Sequence, residues 1–285
     1  MVGAVVKRII VNADDFGISA GVNRAVIAAV EAGSVSSATI LVNADAAPEA
    51  ARLALERPVL GIGLHFTLTS GVPLAPWTTR GVTGVDGRFV NRAHITRLAL
   101  FGRIREADVV RELHAQFERL QSWGIQPSHI DSHQHVHSIP LIFRTIARFC
   151  AERGLPMRVP WRLNPTGRRV GWRRRVRECA LQLVTRYDVI RWGRSIRYNR
   201  SFGSVFDLGQ IPVSLQAGDY ATIIAAARAE PFELMVHPSE AAASMTGLTR
   251  IGPVSQAEGD FLRTGALKAL IRSHGFELAT YRDVT

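Results

Sequence analysis

Asp14 and Asp15 stand side by side just beyond the apolar run Arg8–Val11, and two neighbouring acids in a low-dielectric cleft repel each other unless a cation lies close by. The competing reading of the pair is an Asx turn or a helix cap. The stretch His129-Ile130-Asp131-Ser132-His133-Gln134-His135-Val136-His137 carries more information. Its histidines at i, i+2 and i+4 would project one way from an extended segment or spread around a helical one, and either arrangement offers imidazoles to a divalent ion. His65, in Gly63-Leu64-His65, and His237, in Val236-His237-Pro238, are single histidines of a kind that more often pack in a core. Taken together, one Asp and two His make a ligand set for Zn2+ or another divalent ion with one position open to water. The ion lowers the pKa of that water and polarises a carbonyl, while a second carboxylate can act as general base and a separate His can protonate a leaving amine. Hydrolysis of an acyl amide needs these parts.

All four clusters follow segments that read as strands. Arg8–Val11, Ala38–Val42, Leu60–Phe66, His129–Asp131, Met157–Val159, Glu233–Val236 and Phe276–Ala279 are short, apolar and β-branched. Between them lie helical patterns. One runs from an N-cap at Ser19 to Ala32 with a stop at Gly33; others cover Pro48–Glu56, Asp108–Trp123, Leu141–Ala151, Tyr220–Ala229 and Gly259–Ser273. Alternation of this kind implies parallel strands with helical crossovers, hence a doubly wound sheet or a β/α barrel, in which strand C-termini share one face and the site lies there. Gly71–Asn91, rich in Gly, Pro and Thr, is longer than an ordinary connection and reads as a functional lid or a disordered loop.

Length and composition fit one α/β domain spanning residues 1–285, and no apolar run approaches the roughly 18 to 20 residues of a membrane span. The N-terminus shows no secretory pattern, and the expected location is the cytoplasm. Cys150 and Cys179 sit in apolar-periodic segments and are expected in the core. The net charge of +11 is almost entirely arginine. Six arginines crowd Arg168–Arg177, inside an arginine-rich helical insertion at about 161–200, where Trp172, Val176, Cys179, Leu183 and Val184 recur at helical spacing. This segment reads either as a solvated face packing its apolar stripe on the barrel or as a basic amphipathic surface for an anionic membrane.

The strings Val11-Asn12-Ala13-Asp14-Asp15-Phe16-Gly17, Gly63-Leu64-His65-Phe66, His129 to His137 with Pro140, and Val236-His237-Pro238 resemble the YdjC-like (ChbG-type) carbohydrate deacetylases. The resemblance implies a single, irregular β/α barrel of the glycoside hydrolase/deacetylase type and one divalent metal ion, Mg or Zn. It makes Asp15, His65 and His133 the metal ligands, and similarity to the polysaccharide deacetylases makes Asp14 the base and His237 the acid. His135, His137 and Arg158 are assigned to substrate contact. The implied activity is removal of an N-linked acetyl group from a sugar, and a hopanoid-associated branch of the family makes a lipid-linked sugar the alternative substrate. Expected partners are an N-acetylated sugar or glycolipid, an anionic membrane surface and a second copy of the chain, with no nucleic acid. A metal-dependent phosphoesterase and a nucleic-acid binder are the rival classes.

Overall fold

Lys7–Phe16 forms β1, and all but its first two residues are buried, as expected of a parallel strand covered on both faces. The computed structural model describes residues 7–161, 172–208 and 211–284. After β1 the chain runs α1 (Ala20–Glu31), β2 (Ser37–Ile40), α2 (Ala47–Leu55), β3 (Gly61–Phe66), α3 (Arg92–Leu100), α4 (Glu106–Ser122), β4 (Ile130–Ser132), α5 (Pro140–Arg153) and β5 (Pro156–Met157). It continues through α6 (Trp172–Trp192), β6 (Arg197–Tyr198), β7 (Ser201–Gly203), α7 (Ala217–Ala225), β8 (Phe232–Val236), α8 (Gly252–Leu262), α9 (Ala266–Ser273) and β9 (Phe276–Leu278).

The strands form one sheet in the order β6-β5-β4-β3-β2-β1-β8-β7, with β9 added on β1. Every pairing is parallel. The two ends of this order, β6 and β7, are separated by only Asn199 and Arg200. They therefore act as one bent stave that leaves β5 and joins β8, curling the sheet into an irregular β/α barrel. Asn199 seals the bend with its side chain: Oδ1 accepts from Val159 N at 2.7 Å, and Nδ2 donates to Val159 O at 2.9 Å and to Ser201 O at 3.2 Å. Because all strands run one way, the ends of β1, β3, β4 and β8 open at one face.

Four expectations change. The helix expected over Gly259–Ser273 is two helices, α8 and α9, divided at Gly265, whose φ of 73° is open to glycine at little cost. α3 lies where no element was expected. Cys150 is buried in α5, but Cys179 is exposed, because α6 turns that side outward. Val176 and Leu183 are exposed too, so this part of the expected stripe does not pack on the barrel, and the apolar contacts of the helix with the core come from Val189 and Trp192 instead; Arg168 and Arg169 lie outside the described residues. The Gly71–Asn91 loop, finally, is pinned from below by two fully buried acids of α4. The Glu112 carboxylate accepts from Leu74 N (3.0 Å), Ala75 N (2.9 Å) and Trp77 Nε1 (3.2 Å), while that of Asp108 accepts from Thr78 N (3.2 Å) and Thr79 N (2.7 Å). Gln116, on the same helix, brackets Thr67 just after β3, accepting from its N–H at 3.0 Å and donating to its carbonyl at 2.7 Å. Among the described residues, no helix is long and apolar enough to cross a membrane.

Candidate metal centre

Three non-glycine residues of the described chain have positive φ: Asp15 (62°), Gln134 (52°) and His135 (51°). Such conformations cost on the order of 1 kcal/mol or more each and collect where function requires them. All three flank one site. Asp15 turns out of β1 at the point where the chain bends sharply into α1. Gly17, at φ 96°, lies so close to helix α2 that a Cβ there would meet Ala47 Cα at 2.9 Å. Asn23 ties this turn down, accepting from Gly17 N at 2.8 Å and donating to Ala46 O at 3.0 Å. At the end of β4, His133–Ser138 forms a 3-10 segment broken by the left-handed Gln134 and His135, so the histidine cluster is neither extended nor regularly helical.

The result brings Asp15, His65 and His133 together. Asp15 Oδ1 lies 2.8 Å from His133 Nδ1 and 3.1 Å from His65 Nε2, and one donor atom from each of the three residues falls within 4.8 Å of the others. All three are buried. His65 is oriented from behind, with Nδ1 2.7 Å from Asp131 Oδ1, and Thr39 Oγ1 donates to Asp131 Oδ2 at 3.0 Å. A carboxylate on one ring nitrogen leaves the other aimed into the site, as metal-binding histidines require. His133 Nε2 is buried with no hydrogen-bond partner. Burial opposes charge on His65, yet the carboxylates of Asp131 and Asp15 outweigh it and raise its pKa to about 10, so a cation in this position would displace a proton. The donor set and the unpartnered nitrogen fit a divalent ion. A second group, Asp14, His65 and Asp131, is equally close, but both of its carboxylates are already taken by a guanidinium.

That guanidinium belongs to Arg158, which is fully buried. It grips both oxygens of Asp14 at 2.6 Å, reaches Asp131 Oδ2 at 2.9 Å, and binds Glu233 Oε1 through Nε at 2.8 Å. No substrate can reach it, so the expected substrate contact is corrected: Arg158 is the counter-charge of the site's acids. Burial would raise the Asp14 pKa, but Arg158 outweighs it and holds the carboxyl well below the usual range. One cation cannot balance three acids, and burial pushes Glu233 up to about 7 despite Arg158. Tyr281 adds a short hydrogen bond from its hydroxyl to Glu233 Oε2.

His237 follows β8, with Nε2 3.9 Å from Asp14 Oδ2. Burial lowers its pKa against the pull of Asp14 and Asp15. Glu258 of α8 holds it from the other side, accepting from His237 N at 2.8 Å and lying 3.8 Å from its Nδ1. Of the remaining histidines, His135 is half-buried at the mouth, edge-on to Phe202, whereas His137 is sealed in, hydrogen-bonded to Ser132 and pushed by burial down to about 3. His129 stacks on Tyr281 beneath Gly63, where a Cβ would overlap the imidazole at 2.4 Å. Sequence reasoning assigned no role to Thr39, Glu233 or Glu258. Glu233 had a signal, an acid inside the otherwise apolar Phe232–Val236 run; the helical Glu258 had none.

Glu258 gives a prediction independent of any metal. Burial pushes its pKa up to about 8. The folded carboxyl thus keeps a proton that the unfolded chain releases above an ordinary value of 4.5, so stability falls as pH rises through this window and levels off above it. Glu258→Gln keeps an acceptor for His237 N but cannot ionise. Melting temperatures from pH 5 to pH 8 should therefore decline less in the variant than in the wild type; parallel declines would show that Glu258 does not carry the proton.

Residues 8–273 match the YdjC-like protein family. The chain belongs to it. Among YdjC-like relatives, a chitooligosaccharide deacetylase of Enterobacter sp. (strain 638) is 33% identical over 98% of this chain and 99% of its own length. A carbohydrate deacetylase of Geobacillus stearothermophilus is 46% identical over 52% of this chain and 58% of its own. A solved structure from Enterococcus faecalis V583, provisionally described as a cellobiose-phosphate cleavage protein, superposes with a TM-score of 0.76 over 97% of this chain and 98% of that one. At 22% identity, that likeness concerns the fold, which agrees with the irregular barrel described above.

Proposed function

We propose that the protein is a divalent-metal-dependent hydrolase that removes an N-linked acetyl group from a carbohydrate. The observation that carries this reading is the buried Asp15–His65–His133 cluster set beside Asp14 and His237, with the near full-length likeness to a chitooligosaccharide deacetylase supporting the substrate class. Bound there, the ion would polarise the acetyl carbonyl and activate a water. Asp14, kept ionised by Arg158, accepts a proton from the attacking water. His237 delivers a proton to the departing nitrogen, so that the C–N bond breaks to give the neutral sugar amine and acetic acid, which loses its remaining proton to solvent as acetate. At 3.9 Å, one bridging water or a small side-chain shift relays the proton from Asp14 to His237, whose depressed pKa makes its imidazolium a ready donor. His135, which is half-buried, would be the histidine of its cluster to contact the sugar.

A two-metal phosphoesterase would need ligands for a second ion about 3.5–4 Å from the first, and the neighbouring acids are occupied by Arg158. A lipid-linked sugar is a second substrate reading, favoured by the exposed apolar side of α6. The test is acetate release from N-acetylated chito-oligosaccharides and from an N-acetylated glycolipid, before and after chelation, with Zn2+ or Mg2+ added back. Release that chelator stops and metal restores is expected. Turnover unaffected by complete chelation would overturn the metal requirement, and no release from any N-acetylated sugar would overturn the reaction.

A further inference from the structure

Helix α6 carries apolar side chains on its outer face as well as on the face that packs on the barrel. Its inner face carries the buried Thr185 and Asp188 together with Val189 and Trp192, which pack on the core, while Val176, Leu183, Tyr187 and Ile190 are 62%, 66%, 67% and 82% exposed and Cys179 is exposed with them. These five recur at steps of three and four residues, which puts them on one helix face in a stripe about 21 Å long. Folded monomers rarely leave such a stripe to water unless something binds it. The helix sequence is also strongly basic, with six arginines against one glutamate and one aspartate, and Arg173, Arg174, Arg175 and Arg177 fall in its first two turns.

Charge decides between occupants. A second copy would lay the same basic helix against this one, so self-association through the stripe brings like charges together whichever way the helices run. An anionic lipid surface supplies both an apolar layer for the stripe and negative headgroups for the helix. We propose that α6 is an interfacial helix that docks the protein on a bilayer containing anionic lipid. The helix packs on the His133–Ser138 segment as well as on α5, so the docked helix lies next to the segment that carries His133.

The test is sedimentation of the whole protein with vesicles of phosphatidylcholine alone or mixed with phosphatidylglycerol, at low salt. Wild type should sediment with the mixed vesicles and not with phosphatidylcholine. Leu183→Gln/Ile190→Gln, which alters only exposed side chains, should keep the wild-type melting temperature and lose vesicle binding. Replacing Arg173, Arg174, Arg175 and Arg177 by Gln should weaken partitioning by more than about a hundredfold, since each charge near such a surface contributes about 1 kcal/mol, roughly fivefold. Failure of the wild type to bind mixed vesicles, or undiminished binding by either variant, overturns the proposal. So does a wild-type dimer in velocity sedimentation that dissociates in Leu183→Gln/Ile190→Gln, which would assign the face to a second copy.

Discussion

His65→Ala is expected to abolish divalent-ion binding and, with it, hydrolysis down to the background rate. The imidazole is one of three candidate ligands, and its removal leaves Asp15 and His133, too few to hold a Zn2+ or Mg2+ ion against water. It also leaves Asp131, now oriented on His65 Nδ1, with only Arg158 and Thr39 as partners. The direct measurement is metal content after dialysis, about one ion per wild-type chain and none in the variant. Asp131→Asn supplies the graded control: the ligand remains but its orienting carboxylate is lost, which should weaken metal affinity about 10–100-fold. Full metal content in His65→Ala would remove His65 from the ligand set whatever the activity.

Asp14→Asn is expected to retain the metal and to turn over at least about 100-fold more slowly, the usual consequence of losing a general base. Asparagine is close in shape, yet its amide can give the guanidinium only one acceptor where Asp14 gives two at 2.6 Å. Breaking part of a buried ion pair costs stability, up to about 3–5 kcal/mol when a partner is lost outright. Turnover must therefore be expressed per folded molecule, with a melting curve alongside. Near-normal turnover by folded, metal-loaded Asp14→Asn would reject Asp14 as the base. The companion variant His237→Ala should recover part of its lost rate on a substrate whose leaving group needs no proton; no recovery would count against His237 as the acid.

The residues that end strands were legible in the sequence because a parallel α/β fold delivers every strand terminus to one face. An acid or histidine just after an apolar run is thus placed by the fold class alone, and Asp15, His65 and His133 do meet. Arg158 was misread for a related reason. It follows β5, but whether a side chain there points to the mouth or into the barrel depends on curvature, and only the bent β6–β7 stave reveals how tightly the sheet closes. The loop after β3 looked loose because its restraints, Asp108 and Glu112, lie on a helix that starts well after the loop has ended. In α6 the periodicity of the apolar stripe was visible, but a helical wheel does not say which side faces the protein.

The tie between that loop and α4 limits how the loop can be altered. A loop transplanted alone from a relative would strand Asp108 and Glu112 as fully buried carboxylates without their backbone donors, a cost that grows with every missing N–H. The chain from Thr67 to Ser122 therefore behaves as a single exchangeable cassette, in which the loop that follows β3 and the helix that anchors it must be inherited, recombined or engineered together.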